Sequence, residues 1–197
     1  MKIVCFGDSN TYGYDPRSIF GDRYTAQYRW VDLIAEKLDC NVINAGENGR
    51  EITTRDLPEL ERMLHGQDPA NFLIIMLGTN DLLQNNSVEV VRDRMEEFLN
   101  HIPLETKKIL LIAPPSLQCG YWVADQNLIQ ASKDLALKYQ RLAADRNVHF
   151  ANAGDWNITL AFDGVHFTED GNIAFAKGIC TYLNERGLLS FKRSSKQ

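Results

Sequence analysis

A serine, a histidine and an aspartate can together make a hydroxyl nucleophilic, provided the imidazole stands between the other two. The chain carries these residue types near its two ends, in Gly7-Asp8-Ser9-Asn10-Thr11-Tyr12-Gly13 and in Asp163-Gly164-Val165-His166-Phe167-Thr168. A carboxylate three residues before a histidine can bond the ring N–H and leave the other nitrogen free as a base. Of the four histidines, His65 and His101 fall near helix ends without such a partner, and His149 alternates within a strand. His166 is the candidate base, Asp163 its orienting acid and Ser9 the candidate nucleophile. A helix N-cap is the ordinary alternative role for a serine such as Ser9. Asp8 is expected to tie the turn together.

Two further loops can supply donors to a developing negative charge. Asn44-Ala45-Gly46-Glu47-Asn48-Gly49-Arg50 offers glycine N–H groups that no side chain screens. Gly78-Thr79-Asn80-Asp81 offers the Asn80 amide. Taken singly, each has a plainer reading, as a strand-to-helix loop or a side chain bonding its own turn. Neither loop has the spacing of a phosphate-binding or dinucleotide-binding motif.

These four segments need elements to position them. Short apolar runs at Ile3–Phe6, Phe72–Leu77, Ile109–Ala113 and Val148–Ala151, with a weaker one at Asn41–Asn44, predict strands covered on both faces. Helical spacing predicts buried faces carrying Trp30, Val31, Ile34 and Leu38; Val88, Val91, Met95, Phe98 and Ile102; Leu128, Leu135 and Leu142; and Ile173, Phe175, Ala176, Ile179 and Leu183. Strand and helix alternate, which predicts an α/β fold: a three-layer α/β/α sandwich with a five-stranded, mostly parallel sheet. A single domain over 1–191 is expected, followed by a polar, disordered tail at 192–197. In such sheets ligands sit beyond the carboxyl ends of the strands. All four chemical segments follow a strand, so they arrive at one edge.

Composition narrows the function classes. The chain has 197 residues, 44% of them hydrophobic and 24% charged, as in an ordinary globular domain. Its net charge of −5 argues against nucleic acid or an anionic membrane as partner. No apolar run approaches the roughly 20 residues of a membrane span. The start of the chain reads as a strand rather than a secretory signal, so a cytoplasmic location is expected. Four cysteines, Cys5, Cys40, Cys119 and Cys180, lie far apart and suit a reducing compartment. No metal or other cofactor is needed for the chemistry of Ser9.

The same residues resemble the SGNH hydrolases, or GDSL-type esterases, named for a Ser, Gly, Asn and His in four sequence blocks. Here these are Ser9 in Gly-Asp-Ser-Asn, Gly49 in Asn-Ala-Gly-Glu-Asn-Gly, Asn80 in Gly-Thr-Asn-Asp and His166 in Asp-Gly-Val-His, in the family's order. Asn10 stands where the family name has Leu, at a position that shapes the turn. Gly49, rather than Gly46, matches the family spacing. The resemblance implies a flavodoxin-like SGNH hydrolase fold and a Ser9–His166–Asp163 triad. Its implied oxyanion hole is made of the N–H groups of Ser9 and Gly49 and the Asn80 amide.

The wider wording, including Ala113-Pro114-Pro115-Ser116-Leu117, is similar to the short-chain aryl- and acetylesterase branch, some of whose members transfer acyl groups and many of which are oligomers. That branch often has Trp where this chain has Tyr12. A small-molecule ester is the implied partner, with carbohydrate O-deacetylation or acyl transfer as alternatives on the same site, and a homo-oligomer is implied. Tyr12, Trp122 and Val165 are candidate pocket residues; the 114–124 loop, with Tyr121 and Trp122, can wall a pocket or meet another subunit. Two rival classes are an aspartyl phosphatase using Asp8, which needs magnesium-binding acids and a lysine, and a non-catalytic binding module of the same fold.

Overall fold

The computed structural model of the protein describes residues 1–18 and 20–192. Its centre is a five-stranded sheet in the order β2-β1-β3-β4-β5, made of β1 (Lys2–Gly7), β2 (Asn41–Gly46), β3 (Phe72–Met76), β4 (Ile109–Ala113) and β5 (His149–Asn152). Every neighbouring pair is parallel.

The apolar runs form strands because both faces of the sheet are buried, and their side chains alternate between two cores. Val4, Phe6, Leu73, Ile75 and Leu111 point into one core, under α3 (Leu57–His65), α5 (Val88–Asn100) and α6 (Gln126–Arg146). Ile3, Cys5, Phe72, Ile74, Leu110 and Ile112 point into the other, under α2 (Trp30–Lys37) and α7 (Glu169–Glu185). Two short helices, α1 (Ser9–Tyr12) and α4 (Thr79–Leu83), follow β1 and β3 directly.

The chain leaves β1 for β2 on one side and returns to β3 on the other. This reversal opens a crevice at the carboxyl ends of β1 and β3. Ser9 follows β1, and Asn80 follows β3.

Local signals set the helix ends. Ser87 Oγ accepts from Val90 N at the start of α5, and Thr168 Oγ1 accepts from Gly171 N at the start of α7. The α6 helix stops at Asn147, whose φ of 53° lies in the left-handed region. Trp30 is fully buried, with its ring 4.6 Å from that of Phe175. Its indole N–H donates to the carbonyl of Asn10 at 3.0 Å, so this core residue also steadies the turn beside Ser9. Truncating such a side chain to Ala typically costs about 3–5 kcal/mol.

The structure departs from the expected elements in four places. The helix between β2 and β3, α3, is implied by the alternation, but no buried face was assigned to it. It is short, with Leu60 and Leu64 as its buried residues among Glu59, Glu61 and Arg62. Ile173 is 44% exposed and lies off the buried face of α7. β2 runs on to Gly46, which pairs with Gly7 at the end of β1. Lys192 is held rather than loose: its N–H donates to Lys37 O at 2.9 Å and its ammonium to Ala35 O at 3.0 Å. The rest of the expected tail, 193–197, lies outside the described residues.

Candidate active site

Ser9 opens α1 directly after β1. Asp8 caps this helix by accepting from Asn10 N at 3.0 Å, and Gly13 ends it in the left-handed region at φ 89°. The N–H of Ser9 therefore belongs to a first helical turn, where backbone donors have no intrahelical acceptor. Asp8 is buried, which pushes its carboxyl up to about 6 against the opposing pull of the Asn10 N–H. It serves the turn, as expected. A phosphatase reading would need this carboxylate as a nucleophile.

The Asp163–His166 segment is shaped by its own carboxylate. Asp163 Oδ1 accepts from Val165 N at 2.9 Å and from His166 N at 3.0 Å, while Oδ2 meets His166 Nδ1 at 2.6 Å. Gly164 permits the turn: its φ is 80°, and a Cβ there would fall 2.1 Å from the Gln118 carbonyl oxygen. Burial pushes the Asp163 carboxyl up, but the bonds from the His166 ring and the two backbone N–H groups together hold it below its usual value. An ionised Asp163 accepts from Nδ1–H and leaves Nε2 as the free lone pair. Nε2 lies 3.0 Å from Ser9 Oγ. Ser9, His166 and Asp163 thus form one hydrogen-bonded chain, from residues 157 positions apart.

Asn10 clamps the two halves of this chain. Its Nδ2 donates to Val165 O at 3.2 Å, and its Oδ1 accepts from Phe167 N at 2.9 Å. The residue after Ser9 therefore grips the residues on both sides of His166. A leucine could make neither bond.

The glycine loop after β2 is tied down by Arg50. Its guanidinium donates to the carbonyls of Gly7 and Ala45 and lies over the Phe6 ring, which fixes the loop to the ends of β1 and β2. Gly46 and Gly49 differ in kind. A Cβ at Gly46 would meet Tyr12 N at 2.1 Å, so that glycine lets β2 approach α1. Gly49 is exposed, has φ 75°, and has nothing within 4 Å of where a Cβ would stand. Asn80 Nδ2 donates to Arg50 O at 3.0 Å, which joins the Gly49 and Asn80 loops. The amide has a second N–H.

Aromatic rings flank the imidazole. Trp122 meets the His166 ring edge-on at 5.2 Å between centroids. Its loop is strapped to the histidine segment by Gln118 N→Gly164 O (3.0 Å), Tyr121 N→Phe162 O (3.0 Å) and Trp122 N→Asp163 O (3.1 Å). The other ring belongs to Tyr14, at 4.6 Å. Sequence reasoning missed it and chose Tyr12, whose ring instead lies under the Arg23 guanidinium at 4.4 Å. The left-handed turn at Gly13, which redirects the chain after α1, was the available signal. Val165, also expected at the pocket, is 3% exposed and packs with Leu117 and Val123, so it supports the loop from beneath.

This arrangement, at the carboxyl edge of a doubly wound sheet, has the make-up of a serine hydrolase site. Comparison with protein families matches residues 3–179 to the GDSL-like lipase/acylhydrolase model, and the chain belongs to that family. It is a carboxylic ester hydrolase. Among solved structures it is similar to an aryl esterase from M. smegmatis, at 27% identity and a TM-score of 0.79, covering 95% of this chain and 99% of that one. A carbohydrate acetylesterase from Sinorhizobium meliloti is 26% identical, with a TM-score of 0.80 and coverage of 94% and 99%. A lipase/acylhydrolase from Enterococcus faecalis is 25% identical, with a TM-score of 0.68 and coverage of 98% and 99%. Comparison with curated proteins finds no match. No helix among the described residues is long and apolar enough to cross a membrane.

Proposed function

We propose that the protein hydrolyses short-chain esters of small molecules, acetyl and aryl esters foremost, through an acyl-enzyme on Ser9. The observation that carries this reading is the hydrogen-bonded chain from Ser9 Oγ through His166 to Asp163 Oδ2. His166 Nε2 takes the hydroxyl proton as Oγ bonds to the ester carbonyl carbon, and Asp163 stabilises the imidazolium. The carbonyl oxygen becomes an oxyanion, met by the N–H groups of Ser9 and Gly49 and by the Asn80 amide. His166 returns the proton to the leaving alkoxide or phenoxide as the C–O bond breaks. Water then attacks the acyl carbon and gives a proton to His166 Nε2, which passes it to Ser9 Oγ as the Oγ–acyl bond breaks, releasing the carboxylic acid and restoring Ser9 and neutral His166.

A small acyl group is supported by the crowding around the imidazole. Ser9 is 6% exposed, and Tyr14 and Trp122 both contact the His166 ring. The named esterase relatives are in keeping with this reading. Cytoplasmic residence is part of the proposal, supported by four free thiols. A series of nitrophenyl esters of rising acyl length, run beside acetylated sugars, tests it. Turnover greatest on acetate and falling with chain length is expected; equal or rising turnover on long chains contradicts it.

A further inference from the structure

The loops carrying Gly49 and Asn80 are joined by two hydrogen bonds that run in opposite directions. Asn80 Nδ2 donates to Arg50 O at 3.0 Å, and Ile52 N donates to Asp81 Oδ2 at 3.1 Å. The second bond depends on a carboxylate with no solvent exposure. Arg94, from the middle of α5, meets that carboxylate: its guanidinium donates to Asp81 Oδ1 at 2.8 Å and to Glu51 Oε2 at 3.2 Å. Arg94 therefore holds one acidic side chain from each loop. The face of α5 that carries Val91, Met95 and Phe98 is buried in the core, so the guanidinium reaches the loops from a fixed base.

We propose that Arg94 is a positioning residue, which acts through Asp81 to set the spacing between the Gly49 and Asn80 oxyanion donors. This rests on the esterase reading of those two residues. The electrostatics around Asp81 explain why a cation is needed. Glu51 and Asp8 act on it with like charge, and the buried Tyr139 of α6, whose hydroxyl donates to Leu77 O, is near enough to feel the Asp81 charge. Burial pushes the Asp81 carboxyl up, and Arg94, with the Ile52 N–H, draws it back. Without Arg94, Asp81 takes up a proton at higher pH and becomes a weaker acceptor for Ile52. The loop from 49 to 52 then loses its second tether while the first, at Asn80, remains.

The test compares the native protein with Arg94→Met, which keeps the aliphatic stem, and Arg94→Lys, which keeps the charge. In Arg94→Met, kcat on nitrophenyl acetate is expected to fall about 10- to 100-fold, the scale of a misplaced catalytic group, with KM changed less than about threefold. The acid limb of its kcat–pH profile moves toward neutral pH as Asp81 loses its partner. Amide hydrogen exchange at 49–52 quickens, while the strands stay protected. Arg94→Lys recovers most of kcat and of the protection. Unchanged kcat and unchanged exchange in Arg94→Met overturn the proposal, as does a fall in kcat without faster exchange at 49–52. If the native protein cleaves no ester, the esterase reading fails, while the exchange comparison still decides whether Arg94 holds the loop.

Discussion

Asn10 bonds the residue on each side of His166, donating to Val165 O at 3.2 Å and accepting from Phe167 N at 2.9 Å. The Ser9–His166 distance is therefore held by the side chain next to Ser9. Both Asn10 bonds are buried, and leaving the Val165 carbonyl and Phe167 N–H without partners costs about 1–3 kcal/mol each. Asn10→Leu is expected to lower the melting temperature by several degrees and kcat by about tenfold or more, with KM less affected. Denaturation and steady-state kinetics on the variant check both. A variant as stable and active as the native protein contradicts the clamp.

Asn80→Ala removes one of the proposed oxyanion donors and the bond to Arg50 O. Turnover is expected to fall roughly 100- to 1000-fold, as for other lost oxyanion donors. Circular dichroism should remain native, because Asn80 is only half-buried, in the short helix α4. Near-normal kcat excludes Asn80 from the oxyanion hole.

Tyr14→Ala opens one side of the imidazole. The ratio of butyrate to acetate turnover should rise severalfold, since about one methylene of discrimination is worth roughly 10-fold or more in a closed pocket. Tyr12→Ala, beneath Arg23, should leave that ratio unchanged. Equal ratios in native and Tyr14→Ala proteins remove Tyr14 from the pocket.

Asp8 links pH to stability. Its carboxyl is pushed up to about 6 in the folded protein from 3.8, so the folded state holds this proton more tightly than the unfolded one. Its contribution therefore turns unfavourable as pH rises from about 4 to about 6. Asp8→Asn keeps an acceptor for Asn10 N and removes the titration. At pH 7.5 the variant should be more stable than the native protein by roughly 1–3 kcal/mol, with the gap closing near pH 4. Thermal melts at the two pH values measure this. A gap independent of pH contradicts the buried, titrating Asp8.

The sheet was legible because its strands are buried on both faces and read as unbroken apolar runs. The buried face of α3 escaped notice because it consists of Leu60 and Leu64 alone, over a helix of nine residues. The four blocks were visible as residue types after strands, and the fold brings Ser9, His166 and Asp163 into contact. Local spacing could not reveal the partners of Tyr14, Asn10 and Arg94. Tyr14 reaches His166 across 152 positions, and Arg94 reaches Asp81 across a helix and a loop. The type of Asn10 suggested a turn former, and its two long-range bonds exist only once residues 165 and 167 are folded against it.

The central claim is that Ser9 is a nucleophile activated by His166. Labelling with a fluorophosphonate followed by peptide mapping tests it most directly. One adduct per chain, on Ser9, is expected to form rapidly in the native protein and at least about 1000-fold more slowly in His166→Ala. No adduct on native Ser9, or equal labelling in both proteins, would contradict it.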